Sequence, residues 1–260
     1  MNYLEEYYNS YNEEGRLLSQ HGQVEYLTTM KYIDESLAGI DIPTILEIGA
    51  GTGRYSVTLA KRGLRVTALE LVAHNLDVLR SKLDGTEPIT VLQGNALDLS
   101  VLPDDAYDLT LLLGPMYHLY IKEEQLRALA EAVRVTKPGG RVLVAYCMNE
   151  PTVIQYVFGR NRWREVMELS MLTPDWHCLS EQKDIFQLMR TEDIAALDAE
   201  LPVERIKLVA TDGATNYKRE FIDDMDEETF AKWLDFHFTV CERQDLIGAS
   251  HHTLDILKKL

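Results

Sequence analysis

The chain has 260 residues, 46% hydrophobic and 26% charged, which is ordinary for a globular protein and excludes a disordered or fibrous one. Its 42 acidic residues outnumber 26 basic ones, for a formal charge of −16, and no basic patch stands out, so we expect no nucleic-acid partner. The apolar runs are far shorter than the roughly 20 residues of a membrane helix. The acidic, aromatic first residues are unlike a secretory signal, so we expect a cytoplasmic protein without membrane contact.

The predicted elements fall into three regions. Residues 1–40 predict a helical lid rich in tyrosine, which ends before Asp41-Ile-Pro43. Residues 41–147 alternate short β-branched runs with helical patterns, as in βαβ units around a parallel sheet. The predicted strands there are 44–48, 64–70, 89–93, 107–113 and 141–147, and the predicted helices are 54–62, 73–83 and 122–135.

Two local signals mark element ends in this core. Gly63 follows the first helix where a left-handed cap is expected, and Lys137-Pro-Gly-Gly140 predicts a stop between the last helix and its strand. Residues 148–260 predict helical insertions, mostly within 151–200 and 227–243, plus two last strands at 204–210 and 251–257. We therefore expect an α/β fold, a doubly wound and mostly parallel seven-stranded sheet with helical lid insertions.

The segment Ile45-Leu-Glu-Ile-Gly-Ala-Gly-Thr-Gly53 carries the strongest chemical signal. It places three glycines at alternate positions between a strand and a helix. Glycine lets the backbone approach a ligand closely, and the carboxyl ends of parallel strands are where open α/β sheets bind ligands. Glu70 ends the next strand about 20 residues later, where an acid grips ribose hydroxyls.

The glycine spacing discriminates between nucleoside ligands. A P-loop needs Gly-Lys-Ser/Thr, which is absent, and a dinucleotide fingerprint reads G-x-G-x-x-G, whereas this chain reads G-x-G-x-G. With Gly94-Asn-Ala96 after the third strand and Leu112-Leu-Gly-Pro115 at the end of the fourth, the chain resembles the class I S-adenosylmethionine-dependent methyltransferases, which have a Rossmann-like fold. The resemblance covers residues 41–147 well and the flanks loosely.

The resemblance implies S-adenosyl-L-methionine as cofactor and a role for each matching position. Gly49, Ala50 and Gly51 would line the methionyl group and ribose, with Glu47 ordering the turn. Glu70 would bind both ribose hydroxyls, and Leu71 would cover the adenine. Asn95 and Ala96 would meet the adenine edge, although many relatives have Asp in place of Asn95. The Leu113 carbonyl would accept from the methionyl ammonium, and Arg16 would bind its carboxylate, unless it only pairs with Glu13 or another neighbour.

Residues just past the fourth strand face the methyl group in this family, which points to Gly114-Pro-Met-Tyr117 and His118. His118 is the candidate general base because histidine titrates near neutrality, and the alternative is a packed structural histidine. Tyr117 would orient the acceptor or hold the methyl-bearing sulfur of the cofactor. Methyltransferases of adenine or glutamine amino groups have an Asn/Asp-Pro-Pro-aromatic motif here, and its amide is missing, which counts against those acceptors. Metal-dependent catechol-type relatives have acidic ligands near this strand end, and Leu113-Gly-Pro-Met provides none, so we predict no metal.

The acceptor pocket is less defined by the sequence. Tyr156, Arg160, Trp163 and His237 are candidates for it, with ordinary core packing as the alternative, and His251 and His252 look structural. The predicted function is methyl transfer to a small molecule. The alternatives are a non-catalytic cofactor-binding protein, an NAD-dependent oxidoreductase on the same fold, and a protein methyltransferase with a basic peptide substrate. The widely spaced Cys147, Cys178 and Cys241 predict neither disulfides nor a metal ribbon.

Overall fold

The fold, described by a computed structural model over residues 3–10 and 15–260, centres on one mixed β-sheet. Its strands run in the order β3-β2-β1-β4-β5-β8-β7, and a short β6 pairs with β5 outside this path. The strands are β1 Thr44–Ile48, β2 Arg65–Glu70, β3 Ile89–Gln93, β4 Tyr107–Leu112, β5 Thr136–Met148, β6 Leu188–Met189, β7 Val203–Ala210 and β8 His252–Lys259. The first five pair in parallel, and β8 runs antiparallel to both β5 and β7. The predicted doubly wound α/β fold is confirmed.

Helices cover both faces of this sheet because successive strand residues point to opposite sides. Leu46 and Ile48 pack in one core cluster with helix α5, and Ile45 packs in the other with α2 and α3. The α-helices are α1 Tyr3–Ser10, α2 Gln20–Leu37, α3 Arg54–Lys61, α4 Ala73–Ser81, α5 Lys122–Val135, α6 Asn149–Thr152, α7 Trp163–Glu168, α8 Thr191–Asp198, α9 Arg219–Asp223, α10 Glu227–Val240 and α11 Gln244–Ile247. None of the helices in the described ranges combines the length and apolar content that crossing a bilayer requires.

The strand order reverses between β1 and β4, and this reversal positions the site. The chain moves outward from β1 through β2 to β3, and then returns to the other side of β1 to place β4 and β5. At such a switch point the loops leaving neighbouring strands diverge to opposite faces and open a crevice at the carboxyl ends. The glycine-rich segment leaves β1 at this crevice.

The predicted start of β5 is wrong for an identifiable reason. The Lys137–Gly140 stop does not precede β5 but lies inside it: Tyr107 pairs with Thr136 and Leu109 with Arg141, so four residues bulge between paired neighbours. Gly139 takes a φ of +78° in this bulge, a conformation that glycine adopts without strain. Pairing resumes on both sides of the break, which is why the strand is longer than predicted.

The segment 151–200 is less helical than predicted. A π-helix occupies Val153–Phe158, and between α7 and β6 the chain runs irregularly apart from a short turn at Gln182–Asp184. β6 then pairs with Cys147 and Met148 at the end of β5. β8 pairs with one side of β5 at Cys147, and β4, on the other side, ends at Leu112. β6 therefore pairs with β5 on the side of β4, beyond the end of that strand. This two-residue strand brings the segment before it over the crevice.

Candidate functional site

One cavity of about 1160 Å³ opens at the carboxyl ends of the central strands, with further walls from the first two helices and from residues 152–188. The twelve residues predicted for cofactor binding and catalysis all line it. They are Arg16, Glu47, Gly49, Ala50, Gly51, Glu70, Leu71, Asn95, Ala96, Leu113, Tyr117 and His118. The structure therefore brings them together, and their individual roles remain predictions.

The glycine turn is fixed to the end of β2. The amides of Gly49 and Ala50 both donate to the Leu69 carbonyl, at 2.8 and 3.0 Å. Gly49 has a φ of +75°, and a Cβ placed on it would come within 2.6 Å of Cδ of Pro115. Glycine is thus required at this position twice over, by backbone conformation and by the close approach of the loop that follows β4.

Glu70 is a buried carboxylate that organises the same turn. Its Oε2 accepts from the Gly51 amide at 2.8 Å and its Oε1 from the Val72 amide at 2.8 Å. A third, long bond of 3.5 Å comes from Asn75 Nδ2 to Oε1. Of the about four acceptor positions of a carboxylate, one on Oε2 is therefore open, and a ribose diol would take it and displace the Asn75 amide from Oε1.

Glu47 acts on the helix that follows the turn. Its Oε2 accepts from the backbone amide of Ser56 at 2.9 Å and also contacts the Ser56 hydroxyl. Ser56 is the third residue of α3, so the carboxylate satisfies one of the open amides at the helix start. Burial raises the pKa of Glu47 to about 8, against the opposing effect of the two Ser56 bonds.

The predicted adenine end has one exposed apolar side chain and one engaged amide. Leu71 follows Glu70 and is 40% exposed at the cavity wall. The Asn95 Oδ1 accepts from the Leu97 amide at 3.0 Å, which fixes the side chain within its own turn. The oxygen predicted to meet an adenine amino group therefore already holds one bond, and only its second lone pair is open to a ligand.

Past β4, the segment Pro115–His118 forms a single 3₁₀ turn. Tyr117 is buried, and burial, with Cys147 nearby, holds the pKa of its hydroxyl well above the usual value, so the group stays protonated. Its ring lies 6.5 Å from the ring of Phe186 and 6.2 Å from that of His252. Tyr117 thus stands between the cofactor half of the cavity and the aromatic groups of its far half.

His118 is held at both ring nitrogens. Nδ1 lies 2.8 Å from the Ile185 carbonyl, which can only accept, so Nδ1 carries the proton and Nε2 is an acceptor. The hydroxyl of Tyr8 lies 3.0 Å from Nε2 and donates to it. Burial lowers the pKa of His118, opposed by the bond to Ile185, so the ring is a neutral base.

The loop that anchors His118 has an unusual backbone. Ile185 has a φ of +68°, which is rare for a β-branched residue, and its carbonyl also accepts from the Tyr120 hydroxyl at 2.6 Å. Strained residues of this kind persist where the surroundings fix them and are frequent at functional sites. Tyr120 and His118 together fix this loop over the cavity.

Arg16 forms an ion pair across the cavity wall. Its Nη1 donates to both carboxylate oxygens of Glu25, at 3.0 and 2.9 Å. The alternative pairing with Glu13 lies outside the described residues. Arg16 is thus placed at the cavity by an acid of α2, with carboxylate binding still a prediction.

Of the four acceptor-pocket candidates, only Tyr156 lines the cavity. Arg160 stacks on the Tyr156 ring at 4.3 Å, and Trp163 lies outside the cavity beneath Arg164. The prediction for His237 is wrong: it is 2% exposed and its Nε2 shares a 2.9 Å hydrogen bond with the Thr28 hydroxyl, because α10 packs against α2 rather than over the crevice.

Two further functional candidates line the far end of the cavity. They are His251 and His252, which the sequence pattern predicts to be structural. His252 pairs through Nδ1 with the buried Asp212 at 2.7 Å and lies 3.5 Å from Glu25. Asp212 is 40 residues earlier in the chain, so no local pattern relates the two, and only the adjacency of β7 and β8 brings them together.

In the described part of the chain, Glu25, Asp212 and His252 form the one set with the residue types and spacing that a metal could use. Each is already engaged by protein groups: Arg16 donates to Glu25, and Ser250 and the ring of His252 donate to Asp212. Hydrogen bonds and the ion pair with Arg16 therefore account for the close spacing of these three side chains without an ion. That the protein uses no metal stays a prediction.

Comparison with known proteins identifies the core. Residues 46–144 match the family model described as a methyltransferase domain. An uncharacterised methyltransferase of Mycobacterium tuberculosis is 37% identical over 98 residues, which are 38% of this chain and 37% of the relative. A demethylmenaquinone methyltransferase of Clavibacter sepedonicus is 32% identical over 107 residues, 41% of this chain and 42% of the relative. The chain thus spans well under half the length of these curated relatives.

A solved structure extends the similarity to the whole fold. A protein of Thermotoga maritima, described as an S-adenosylmethionine-dependent methyltransferase and possible histamine N-methyltransferase, superposes with a TM-score of 0.60. The match covers 99% of both chains at 20% identity, which establishes the shared fold. The glycine turn, the buried Glu70 and the crevice fit the cofactor of such methyltransferases. Residues 46–144 are therefore identified by sequence as a methyltransferase domain, and the chain has the Rossmann-like fold of S-adenosylmethionine-dependent methyltransferases.

Proposed function

We propose that the protein transfers a methyl group from S-adenosylmethionine to a small molecule enclosed in the cavity. The observation that carries the proposal is the cavity itself, with the glycine turn and Glu70 at one end and aromatic side chains at the other. When bound, the cofactor supplies an electrophilic methyl group on a sulfonium. Gly49, Gly51 and Glu70 would hold its nucleoside part, and Leu71 and Asn95 would bracket the base.

The size of the cavity supports two ligands rather than one. At about 1160 Å³ it exceeds the 300–1,000 Å³ that is typical of a site for one small molecule. Beyond Tyr117, apolar side chains such as Tyr7, Phe186 and Val157 line the walls together with polar ones such as Asn216 and Arg219. The apolar part of such a pocket would hold a small acceptor and exclude water, which methyl transfer requires.

His118 has the arrangement expected of a proton acceptor. It is neutral, it has a fixed tautomer through Ile185, and its basic Nε2 faces a hydroxyl rather than a cation. We infer that an acceptor hydroxyl or amine displaces the Tyr8 hydroxyl from Nε2, or transfers its proton through it. Tyr117, kept protonated by burial, would donate to the acceptor or line the methyl-bearing centre.

Three observations weigh against the alternatives. The formal charge of −16 opposes a polyanionic substrate such as RNA. The G-x-G-x-G turn opposes a pyrophosphate cofactor. Walls contributed by α1 and by the segment before β6 oppose a protein substrate that must enter from a flat surface. A non-catalytic binding protein shares all of these features and is separated only by experiment.

The experiment is incubation of the purified protein with methyl-labelled S-adenosylmethionine and a small-molecule cell extract, followed by mass spectrometry. We expect labelled product below about 1 kDa and equimolar S-adenosylhomocysteine. A Glu70→Ala variant is the negative control, and Asp77→Ala, an exposed acid on α4, is the matched positive control. Cofactor binding without any labelled product would establish a binding protein instead, and label in protein or RNA would overturn the small-molecule proposal.

A further inference from the structure

His252 presents a ring nitrogen to the cavity from a rigid support. It is the first residue of β8 and pairs there with Cys147 of β5. Its Nδ1 donates to Oδ2 of Asp212 at 2.7 Å, and Asp212 is completely buried. This bond fixes the ring orientation and leaves Nε2, which has no hydrogen-bond partner among the described residues, as the nitrogen available to a ligand.

Asp212 is itself held in place. The Ser250 hydroxyl donates to its Oδ1 at 2.6 Å, the His252 backbone amide donates to the same oxygen at 3.2 Å, and Asn216 donates to Oδ2. A carboxylate with this many donors cannot rotate away from the ring. His252 therefore has the support from surrounding hydrogen bonds that a precise binding group needs.

The charges around the ring favour the imidazolium form. Burial acts against the charged ring, but Glu25, Cys147 and Asp212 together hold the pKa of His252 well above its ordinary value. Arg16 pairs with Glu25, so the four groups Arg16, Glu25, Asp212 and His252 sum to zero when His252 is charged. Of the other titratable neighbours, His251 is neutral because burial lowers its pKa to about 4, and Tyr117 is neutral because burial raises its pKa.

His252 lies away from the nucleoside end of the cavity. Glu25 links it to Arg16, the residue predicted to bind the methionyl carboxylate, so the test below is made on protein whose cofactor site is filled. β8 is three strands from β1 in the sheet order, and strands lie about 4.8 Å apart, which places it roughly 14 Å from the glycine turn. Glu70 lies one strand farther still. Between these ends stand Tyr117 and apolar wall residues such as Phe186.

We propose that His252 donates an Nε2–H hydrogen bond to an anionic oxygen of the methyl acceptor, so that the acceptor is an apolar small molecule bearing a carboxylate. This rests on the proposed methyl transfer at the same site. A singly charged group is favoured over a phosphate dianion, because Asp212 and Glu25 lie directly behind the ring and repel additional negative charge. The apolar walls accommodate the remainder of the molecule.

The test compares two probes of the same shape, 3-phenylpropanoate and 3-phenylpropanamide, by calorimetry on the full-length protein saturated with S-adenosylhomocysteine. A charge-assisted bond predicts that the carboxylate binds roughly 10- to 100-fold more tightly than the amide. His252→Gln should abolish this preference, whereas His74→Gln, an exposed histidine on α4, should preserve it.

Several outcomes would overturn the assignment. These are equal affinities of the two probes for the wild-type protein, no binding of the carboxylate at about 10 mM, an unchanged preference in His252→Gln, and competition by inorganic phosphate stronger than by the carboxylate. The wild-type comparison needs no variant, so it decides even where His252→Gln does not fold. If S-adenosylhomocysteine itself does not bind, the proposed function fails, while the probe comparison on the unloaded protein still tests His252 alone.

Discussion

The hydroxyl of Tyr8 lies 3.0 Å from Nε2 of His118, although the two residues are 110 positions apart. The contact joins the first helix to the turn after β4, and so it links a wall of the cavity to the candidate base. Because Nδ1 is committed to the Ile185 carbonyl, the Tyr8 hydroxyl occupies the one basic atom of the ring. An acceptor that loses a proton to His118 must therefore displace the Tyr8 hydroxyl or pass its proton through it.

Replacing His118 tests its role as a base. His118→Ala should leave the Kd for S-adenosylhomocysteine unchanged and lower kcat by about 10²- to 10⁴-fold, the usual contribution of general base catalysis. The measurement is calorimetry for Kd and single-turnover methyl transfer for the rate, with His74→Ala as the matched control. Full activity in His118→Ala would show that the residue has only a structural role.

Removing the Tyr8 hydroxyl tests the link between the two residues. Burial lowers the pKa of His118 below its usual value. Because only the neutral ring can accept a proton, activity should be constant at high pH and fall when the pH drops below this pKa. A donor to Nε2 stabilises the neutral ring, so Tyr8→Phe should raise the pKa of His118 and move the acid limb of the profile to higher pH. An acid limb that stays in place in Tyr8→Phe would show that this hydrogen bond does not act on the reacting histidine.

Glu70 tests the cofactor end. Loss of a charged hydrogen-bond partner costs about 1–3 kcal/mol, so Glu70→Ala should weaken S-adenosylhomocysteine binding by roughly 5- to 150-fold. Because Glu70 also accepts from Gly51 and Val72, part of this loss reflects a loosened turn, and urea unfolding of Glu70→Ala against Asp77→Ala measures that part separately. Affinity equal to that of Asp77→Ala would remove Glu70 from the site.

Gly49 and Gly85 form a matched pair for the turn. Both have positive φ, +75° and +91°, but a Cβ at Gly49 would meet Pro115 at 2.6 Å, whereas at Gly85 nothing lies within 4 Å. Gly85→Ala should cost only the backbone strain of about 1–2 kcal/mol, and Gly49→Ala should add about 1–3 kcal/mol for the collision and weaken cofactor binding. Urea unfolding and calorimetry measure both. Equal stabilities would contradict the close approach.

Acid sensitivity tests the burial of His237. Burial lowers the pKa of His237 to about 4. Below pH 6.5 the unfolded chain therefore binds a proton at this residue that the folded chain does not bind, and the free energy of unfolding decreases as the pH is lowered. Between pH 7 and 5 this one residue should contribute a loss of about 2 kcal/mol. Glu47 and Asp255, whose pKa values burial raises to about 8, act in the opposite direction. The contribution of His237 is therefore the difference between wild type and His237→Gln, and identical pH dependence would contradict it.

Much of the cofactor half could be predicted because its determinants are local. The turn at Gly49, the acid at Glu70 and the strand before each depend on a few neighbouring residues, and their order along a parallel sheet fixes their meeting point. The acceptor half depends on contacts between distant segments. Asp212 and His252 meet only through β7 and β8, and β6 exists only because β4 ends at Leu112 and leaves an open edge on β5.

Other local signals were overridden by packing. The Pro-Gly-Gly break was placed at the right residues, but pairing resumes beyond it, so it became a bulge inside β5. The amphipathic pattern around His237 predicted a helix, yet no periodicity could indicate that α10 packs on α2 and buries the ring away from the cavity. Ile185 is the clearest case of a conformation that local sequence cannot predict. A positive φ is unfavourable for a β-branched residue, and here it depends on the bonds from Tyr120 and His118 to the Ile185 carbonyl.

The central claim is that the crevice beside Gly49 and Glu70 binds a nucleoside-linked sulfonium. Calorimetric titration of the wild-type protein with S-adenosylmethionine, in competition with NADH, tests this most directly. We predict a single saturable site for S-adenosylmethionine that NADH does not displace and that Glu70→Ala weakens. Absence of binding, or displacement by NADH, would contradict the account.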